Sequence, residues 1–249
     1  MLMRVADELR LGAVYPELAG IRVLVSGLTQ RAGVDIARVF AEHHARLILR
    51  IAENSDELDA LVAILSESAT ELAVFSDDVA TGADAAVDFA KHDAQRTFGG
   101  LEVAINVIEI DSGELSLAGA SGEVEDLVSA KLLAATLAGR VIANRMRLTH
   151  TQGLVLTVVL AAKPETASQA AVLAVVRATL AAITRGEAET WADQAIRFNA
   201  VAPIETTGTG GFVLAGEADV AALALYLASR KGRGLSGHVF DATGVSQRR

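Results

Sequence analysis

Apolar runs of strand length recur along the chain, separated by longer stretches in which apolar residues return every three or four positions. The runs at Arg22–Ser26, Arg46–Ile51, Glu71–Phe75, Val103–Val107, Gly153–Leu160, Arg197–Ala202 and His238–Asp241 are predicted as strands. Helices are predicted near Gly33–His44, Ser55–Ser66, Ala83–Phe98, Val124–Arg147, Ser168–Ala192 and Glu217–Ser229. The strands are continuously apolar rather than alternating, as in a parallel sheet covered on both faces. Right-handed crossovers then give a single doubly wound α/β domain of three layers, α/β/α, with any site at the carboxyl ends of the strands. No linker or shift in composition divides the chain, so residues 18–249 are read as one domain behind an N-terminal extension, residues 1–17.

The helix predicted over Ser168–Ala192 has no wide polar stripe. Val172, Leu173, Val175, Val176, Leu180 and Ile183 spread over more than one of its faces. One side can cover the sheet, and a helix apolar nearly all round needs a second cover. No spare segment of the chain offers it, so a subunit interface is expected. The preceding long helix, with Leu132, Leu133, Leu137, Val141 and Ile142, would contribute to it.

Composition narrows the classes. The formal charge of −9 argues against nucleic-acid binding, which rests on clustered Lys and Arg. Apolar stretches are broken by charges, Gly or Thr, and Arg4, Asp7, Glu8 and Arg10 stand where a signal peptide would need an apolar core, so no membrane span or leader is expected. The absence of Cys excludes disulfides and thiolate metal sites and fits a reducing cytoplasm. The five His residues are scattered without metal-ligand spacing, so no metal is expected.

After the first strand the chain reads Ser26-Gly27-Leu28-Thr29-Gln30-Arg31-Ala32-Gly33, and a helix follows. Asp78-Val79 comes after the third strand and Phe98-Gly99-Gly100-Leu101-Glu102-Val103 enters the fourth. Arg197-Phe198-Asn199-Ala200-Val201-Ala202-Pro203 and Leu235-Ser236-Gly237-His238-Val239-Phe240-Asp241 complete the series. In order and spacing these segments resemble the short-chain dehydrogenase/reductase family, over roughly residues 18–244, with some overall likeness to its 3-oxoacyl carrier-protein reductases. The resemblance implies a Rossmann-like fold that binds NAD or NADP through a glycine-rich turn at a helix N-terminus. The vestigial cofactor positions would be Ser26, Gly27, Arg31, Gly33, Asp78, Val79 and Asn106.

The same resemblance identifies departures. Arg31 stands in place of the middle glycine, and Ile51, next to Arg50, stands where an acidic residue would hold the ribose. The family's Asn-Asn-Ala-Gly reads Asn106-Val107-Ile108-Glu109. Active members use an Asn, a Ser, a Tyr and a Lys, because the oxyanion left by hydride transfer needs a positioned acid of tuned pKa. Those positions fall on Lys131, on Val159 or Leu160, on Leu173 and on Arg177. The segment from Ile204 to Gly216 is also too short for the family's usual substrate lid.

The expectation is therefore a non-catalytic homologue without cofactor, acting as a homodimer, homotetramer or structural partner of an active family member, since some members form mixed assemblies with a degenerate subunit. An NAD- or NADP-dependent oxidoreductase using Lys131 or Lys163 is the alternative, with Lys163 and Glu165 expected over the cleft. A small-molecule binding protein using the emptied cleft is the third.

Overall fold

The computed structural model describes residues 15–51, 55–76, 83–203 and 216–241, apart from the side chain of Ser121. Seven parallel strands form one sheet: β1 Arg22–Leu28, β2 Arg46–Ile51, β3 Glu71–Ser76, β4 Val103–Ile110, β5 Gly153–Ala161, β6 Ile196–Val201 and β7 Val239–Phe240. Their order is β3-β2-β1-β4-β5-β6-β7, so the chain reverses its direction of travel across the sheet between β1 and β4. That switch point is where a doubly wound sheet opens its cleft.

The strands are apolar on both sides because both are covered. Val23, Val25, Leu47, Leu49, Val103, Ile105, Leu154 and Leu156 pack toward helices α1 (Val34–Glu42), α2 (Asp56–Ser68) and α9 (Glu217–Ala228). The alternate residues Leu24, Ile48, Ala104 and Val155 meet α3 (Ala83–Lys91), with α4 (Asp93–Thr97), and α7 (Ala134–Leu148). A third cluster joins Ile108, Ile110, Val159 and Ala200 to α5 (Ser112–Ser121) and α8 (Ala167–Trp191). Local signals set the helix starts. The Ser55 hydroxyl accepts the Leu58 N–H, and Thr166 and Gln169 form a capping box for α8.

Three elements depart from the sequence expectation. The helix predicted over Ala83–Phe98 is two helices meeting at His92. The helix predicted over Val124–Arg147 is α6 (Val124–Val128), a π-helical turn at Ser129–Leu133, and then α7. The helix α5 was not anticipated, although Asp111 and Glu114 make a capping box at its start. Leu18, assigned to the edge of the domain, is buried in the core, and Tyr15 packs beside it.

At the amino ends of the strands, Arg22 at the start of β1 grips Glu102 ahead of β4. Its Nε reaches both carboxylate oxygens at 3.0 and 2.9 Å, its backbone N–H donates to Oε2 at 2.8 Å, and Nη2 completes the ion pair. Burial alone would raise the Glu102 pKa, but the Arg22 hydrogen bonds outweigh it and hold the carboxyl below its ordinary value. A depressed carboxyl contributes stability that is present above its unfolded pKa and lost as pH falls through the folded one. Urea midpoints of the wild-type protein should therefore fall below about pH 4.3, and Glu102→Gln should be less stable near neutrality with a shallower acid limb. An unchanged acid limb in that variant would show that the pair does not carry this dependence.

Candidate functional site

The turn after β1 is shaped by the sheet itself. Gly27 has φ +81°, and a Cβ there would lie 2.2 Å from the Val107 carbonyl oxygen on β4. Gly33 has φ +89° and caps α1 without a side chain. Gly27 is thus required by the close approach of backbone and Gly33 by its left-handed φ. Thr29, between them, takes two of the turn's amides. Its Oγ1 accepts the N–H groups of Arg31 at 3.2 Å and Ala32 at 3.0 Å, and donates to Glu109 Oε2 at 3.0 Å. Arg31, with its side chain 75% exposed, folds across to Glu109, Nε to Oε1 3.2 Å. Glu109, at the end of β4, therefore lies bound to the turn from the opposite side of the switch point.

The N-terminus of α1 is also taken. The Asp35 N–H in its first turn donates to Glu217 Oε1 at 2.9 Å, and Glu217 comes from the start of α9. Burial raises the Glu217 carboxyl above the ordinary range, partly opposed by that N–H. The positive end of the helix dipole still attracts the negative charge.

A cleft of about 680 Å³ opens at the carboxyl ends of β1, β2 and β4. The structure brings Ser26, Gly27, Arg31, Arg50, Asn106 and Lys131 together around it, with Glu109, Asp111 and Glu114. At the end of β2 the side chain facing the cleft is Arg50, its guanidinium 5.0 Å over the Phe89 ring, whereas Ile51 points into the core. Asn106 is 5% exposed, and its Nδ2 has no hydrogen-bond partner among the described residues. Lys131 sits on the π-helical turn, a distortion often found at functional sites. Its Nζ lies 2.6 Å from Glu114 Oε1. The Asp111 carboxyl is held below its usual range, mainly by the Glu114 N–H and further by Lys131 and Arg31. Asp111 and Glu114 were not picked out from the sequence, although the Asp-x-x-Glu spacing of a helix start was visible there.

The other expected positions lie elsewhere. Val159 and Leu173 share one apolar cluster with Leu115, which has 0% exposure, and Ala118. Leu160 packs toward the other side of the sheet, so Val159 is the residue that faces Leu173. Helix α5 is pinned over this cluster by Ser168 Oγ on the Gly119 carbonyl at 2.6 Å and Gln169 Nε2 on Ser116 Oγ at 3.0 Å. Arg177 is half-buried and donates to the Pro203 carbonyl at 3.2 Å. Burial lowers its pKa and Asp241 opposes the shift, but a guanidinium stays charged. Lys163 and Glu165 are exposed and do not line the cleft. Asp78 and Val79, and the Ile204–Gly216 segment apart from Gly216, lie outside the described residues. Among the described residues no three His, Asp or Glu side chains converge as a metal site would require.

A family model described as "Enoyl-(Acyl carrier protein) reductase" matches residues 30–244. The chain belongs to the short-chain dehydrogenase/reductase family. A short-chain type dehydrogenase/reductase from Mycobacterium marinum superposes with TM-score 0.72 at 19% identity, covering 93% of this chain and 97% of that one. A short chain dehydrogenase from Mycobacterium smegmatis gives 0.70 at 22%, covering 93% and 94%. The short-chain dehydrogenase/reductase from Serratia marcescens gives 0.69 at 19%, covering 90% and 98%. No curated protein sequence matches. Likeness at these identities concerns the fold.

Members of this family usually bind NAD or NADP. In this member the groups at the pyrophosphate position do not fit that ligand. The Arg31 and Ala32 amides are bonded to Thr29, the Asp35 amide to Glu217, and the Glu109 carboxylate lies on the turn. Calorimetric titration should therefore give millimolar or weaker affinity for both dinucleotides, and Glu109→Gln with Glu217→Gln should tighten it by about tenfold or more. Glu217→Gln should fold normally, because a carboxyl whose pKa is raised in the folded state costs stability once it ionises. Micromolar affinity of the wild-type chain, or no gain in the double variant, would show that these carboxylates are not the obstacle.

Proposed function

We propose that this family member performs no hydride-transfer chemistry and serves in the cytoplasm as a structural or regulatory subunit, joined through α7 and α8 to a second copy or to an active short-chain dehydrogenase/reductase. The observation that carries the proposal is the hydrocarbon at the proton-transfer position, where Val159, Leu173 and Leu115 lie in one buried cluster. None of them has a proton to give. Lys131, the basic group beside the cleft, is held by Glu114, whose neighbour Asp111 is spent on capping α5.

The association face comes from α8. Of the six apolar residues expected over more than one face, Val172, Leu173, Val176 and Leu180 are buried, Ile183 is half-buried and Val175 is exposed. Between Ala170 and Thr184 the exposed residues are small and apolar, among them Ala171, Ala174, Val175 (47% exposed), Ala178 and Ala182, while Arg185, Glu189 and Thr190 are exposed further along. On the adjoining segment Leu133 is exposed and Leu137 and Val141 are half-buried. Only a third of the most apolar window of α8 is buried, although the helix is apolar and long enough by composition to cross a membrane. Packing against the equivalent helices of a second subunit covers such a surface in a soluble assembly. The two helices are tied by Arg140 Nε on Glu187 Oε1 at 2.6 Å, and within α8 Trp191 Nε1 holds the other carboxylate oxygen of Glu187 at 3.1 Å. One observation favours a second reading, binding of a small molecule in the cleft: the buried Asn106 amide offers a donor that a ligand oxygen would satisfy.

Two outcomes test the leading proposal. Light scattering of the protein made alone should give a dimer or tetramer at micromolar concentration, and Ala178→Glu should dissociate or precipitate it; a soluble wild-type monomer contradicts self-association. Leu173→Tyr combined with Arg177→Lys should produce no NADPH-dependent turnover of a 3-oxoacyl substrate, because an added acid yields its ~10²–10⁴-fold only when cofactor and substrate are already positioned. Measurable turnover would mean that the cleft is still competent.

A further inference from the structure

At the opposite end of the sheet, where the strands begin, a second cavity of about 430 Å³ is formed. Ligand pockets start at about 300 Å³, so this one has room for a small molecule. Its floor is hydrocarbon, from Leu18, Ile21, Val103 and Ile196. Its wall carries Arg197, Arg230 and Arg233. None of these arginines has a carboxylate within ion-pair distance among the described residues.

The two acidic residues of the wall do not cancel that charge. Glu102 is neutralised by Arg22. Glu17 accepts the Arg230 backbone N–H at 3.0 Å, which with other contacts keeps its carboxyl ionised below the usual range. One carboxylate thus faces the three guanidiniums, in a chain whose formal charge is −9. Arg197 cannot swing away, because its Nη1 donates to the Leu227 carbonyl at 2.7 Å and the Gly232 carbonyl at 2.9 Å. It is also partly desolvated, and burial, followed by repulsion from Arg233, lowers its pKa. A fixed, half-buried cation beside a second cation is an arrangement that a bound anion relieves.

We infer that this cavity is a binding site for a small organic anion, a phosphate or carboxylate carried on an apolar body: the charged head meets the arginines and the body lies on the hydrocarbon floor. The site lies at the other end of the sheet from the nucleotide turn, and the inference does not depend on whether the cleft there is active.

Phenyl phosphate and benzoate are the probes, titrated into the full-length protein by calorimetry and amide-shift mapping, with phenol as the uncharged comparison. At least one of the two anions should bind with submillimolar affinity, phenol should bind about tenfold or more weakly, and added salt should weaken the anion. The tighter of the two anions then names the head group. Shifts should cluster at Leu18, Ile21, Gly153 and Ser236. Arg230→Glu with Arg233→Glu, both exposed side chains, should lower the affinity by about tenfold or more with an unchanged melting temperature. The inference is overturned if neither anion binds at millimolar concentration, if the double variant binds like the wild type, or if the shifts centre on Gly27, Asn106 and Lys131 instead.

Discussion

The turn leaving β1 runs against the backbone of β4, so close that a single methyl group on Gly27 would collide with the Val107 carbonyl. Pairing of β1 with β4 at the switch point of the sheet depends on this approach, and so do the cleft above it and the position of Glu109. Gly27 and Gly33 persist for that reason, whether or not a phosphate ever meets the turn. A glycine-rich signature at a first βα turn therefore reports the fold first and the ligand second.

What distinguishes this turn is the destination of its hydrogen bonds. A dinucleotide-binding turn keeps amides and a helix end free for the pyrophosphate. Here Thr29 and Glu217 meet amide donors from within the chain, and Glu109 takes the Thr29 hydroxyl and the Arg31 guanidinium. Two of the three are carboxyl groups, Glu109 paired with Arg31 and Glu217 placed at the start of α1. The partners come from three separate parts of the sequence, at the ends of β1 and β4 and at the start of α9.

Much of the architecture could be read from the sequence because long apolar runs leave little choice. The limits of β2 coincide with expectation, since Arg46–Ile51 holds the apolar run Leu47–Leu49 and closes on Ile51. Elements lacking such contrast were misjudged. Helix α5 is made of Ala, Gly, Ser and Leu with almost no amphipathic character, so only its Asp111–Glu114 start marks it. The π-helical turn and the break at His92 carry neither Pro nor Gly and cannot be seen locally. At the site, residue identities were legible and pairings were not. Arg31 and Glu109 were each singled out, but their contact joins the loops after two different strands. The contact of Glu217 with Asp35 spans 182 positions and follows from the packing of α9 on α1. The choice between Val159 and Leu160 needed only the sheet face, which the register of β5 against β4 supplies.

The apolar cluster of Val159, Leu173 and Leu115 also sets what a polar substitution in it would cost. A hydroxyl placed at any one of these positions would be sealed among side chains that offer it no partner, at a cost of about 1–3 kcal/mol. That is a sizeable fraction of the few kcal/mol by which domains of this kind stay folded. On the proposed non-catalytic reading, selection for folding alone works as a ratchet, removing single polar substitutions here before turnover could reward any of them.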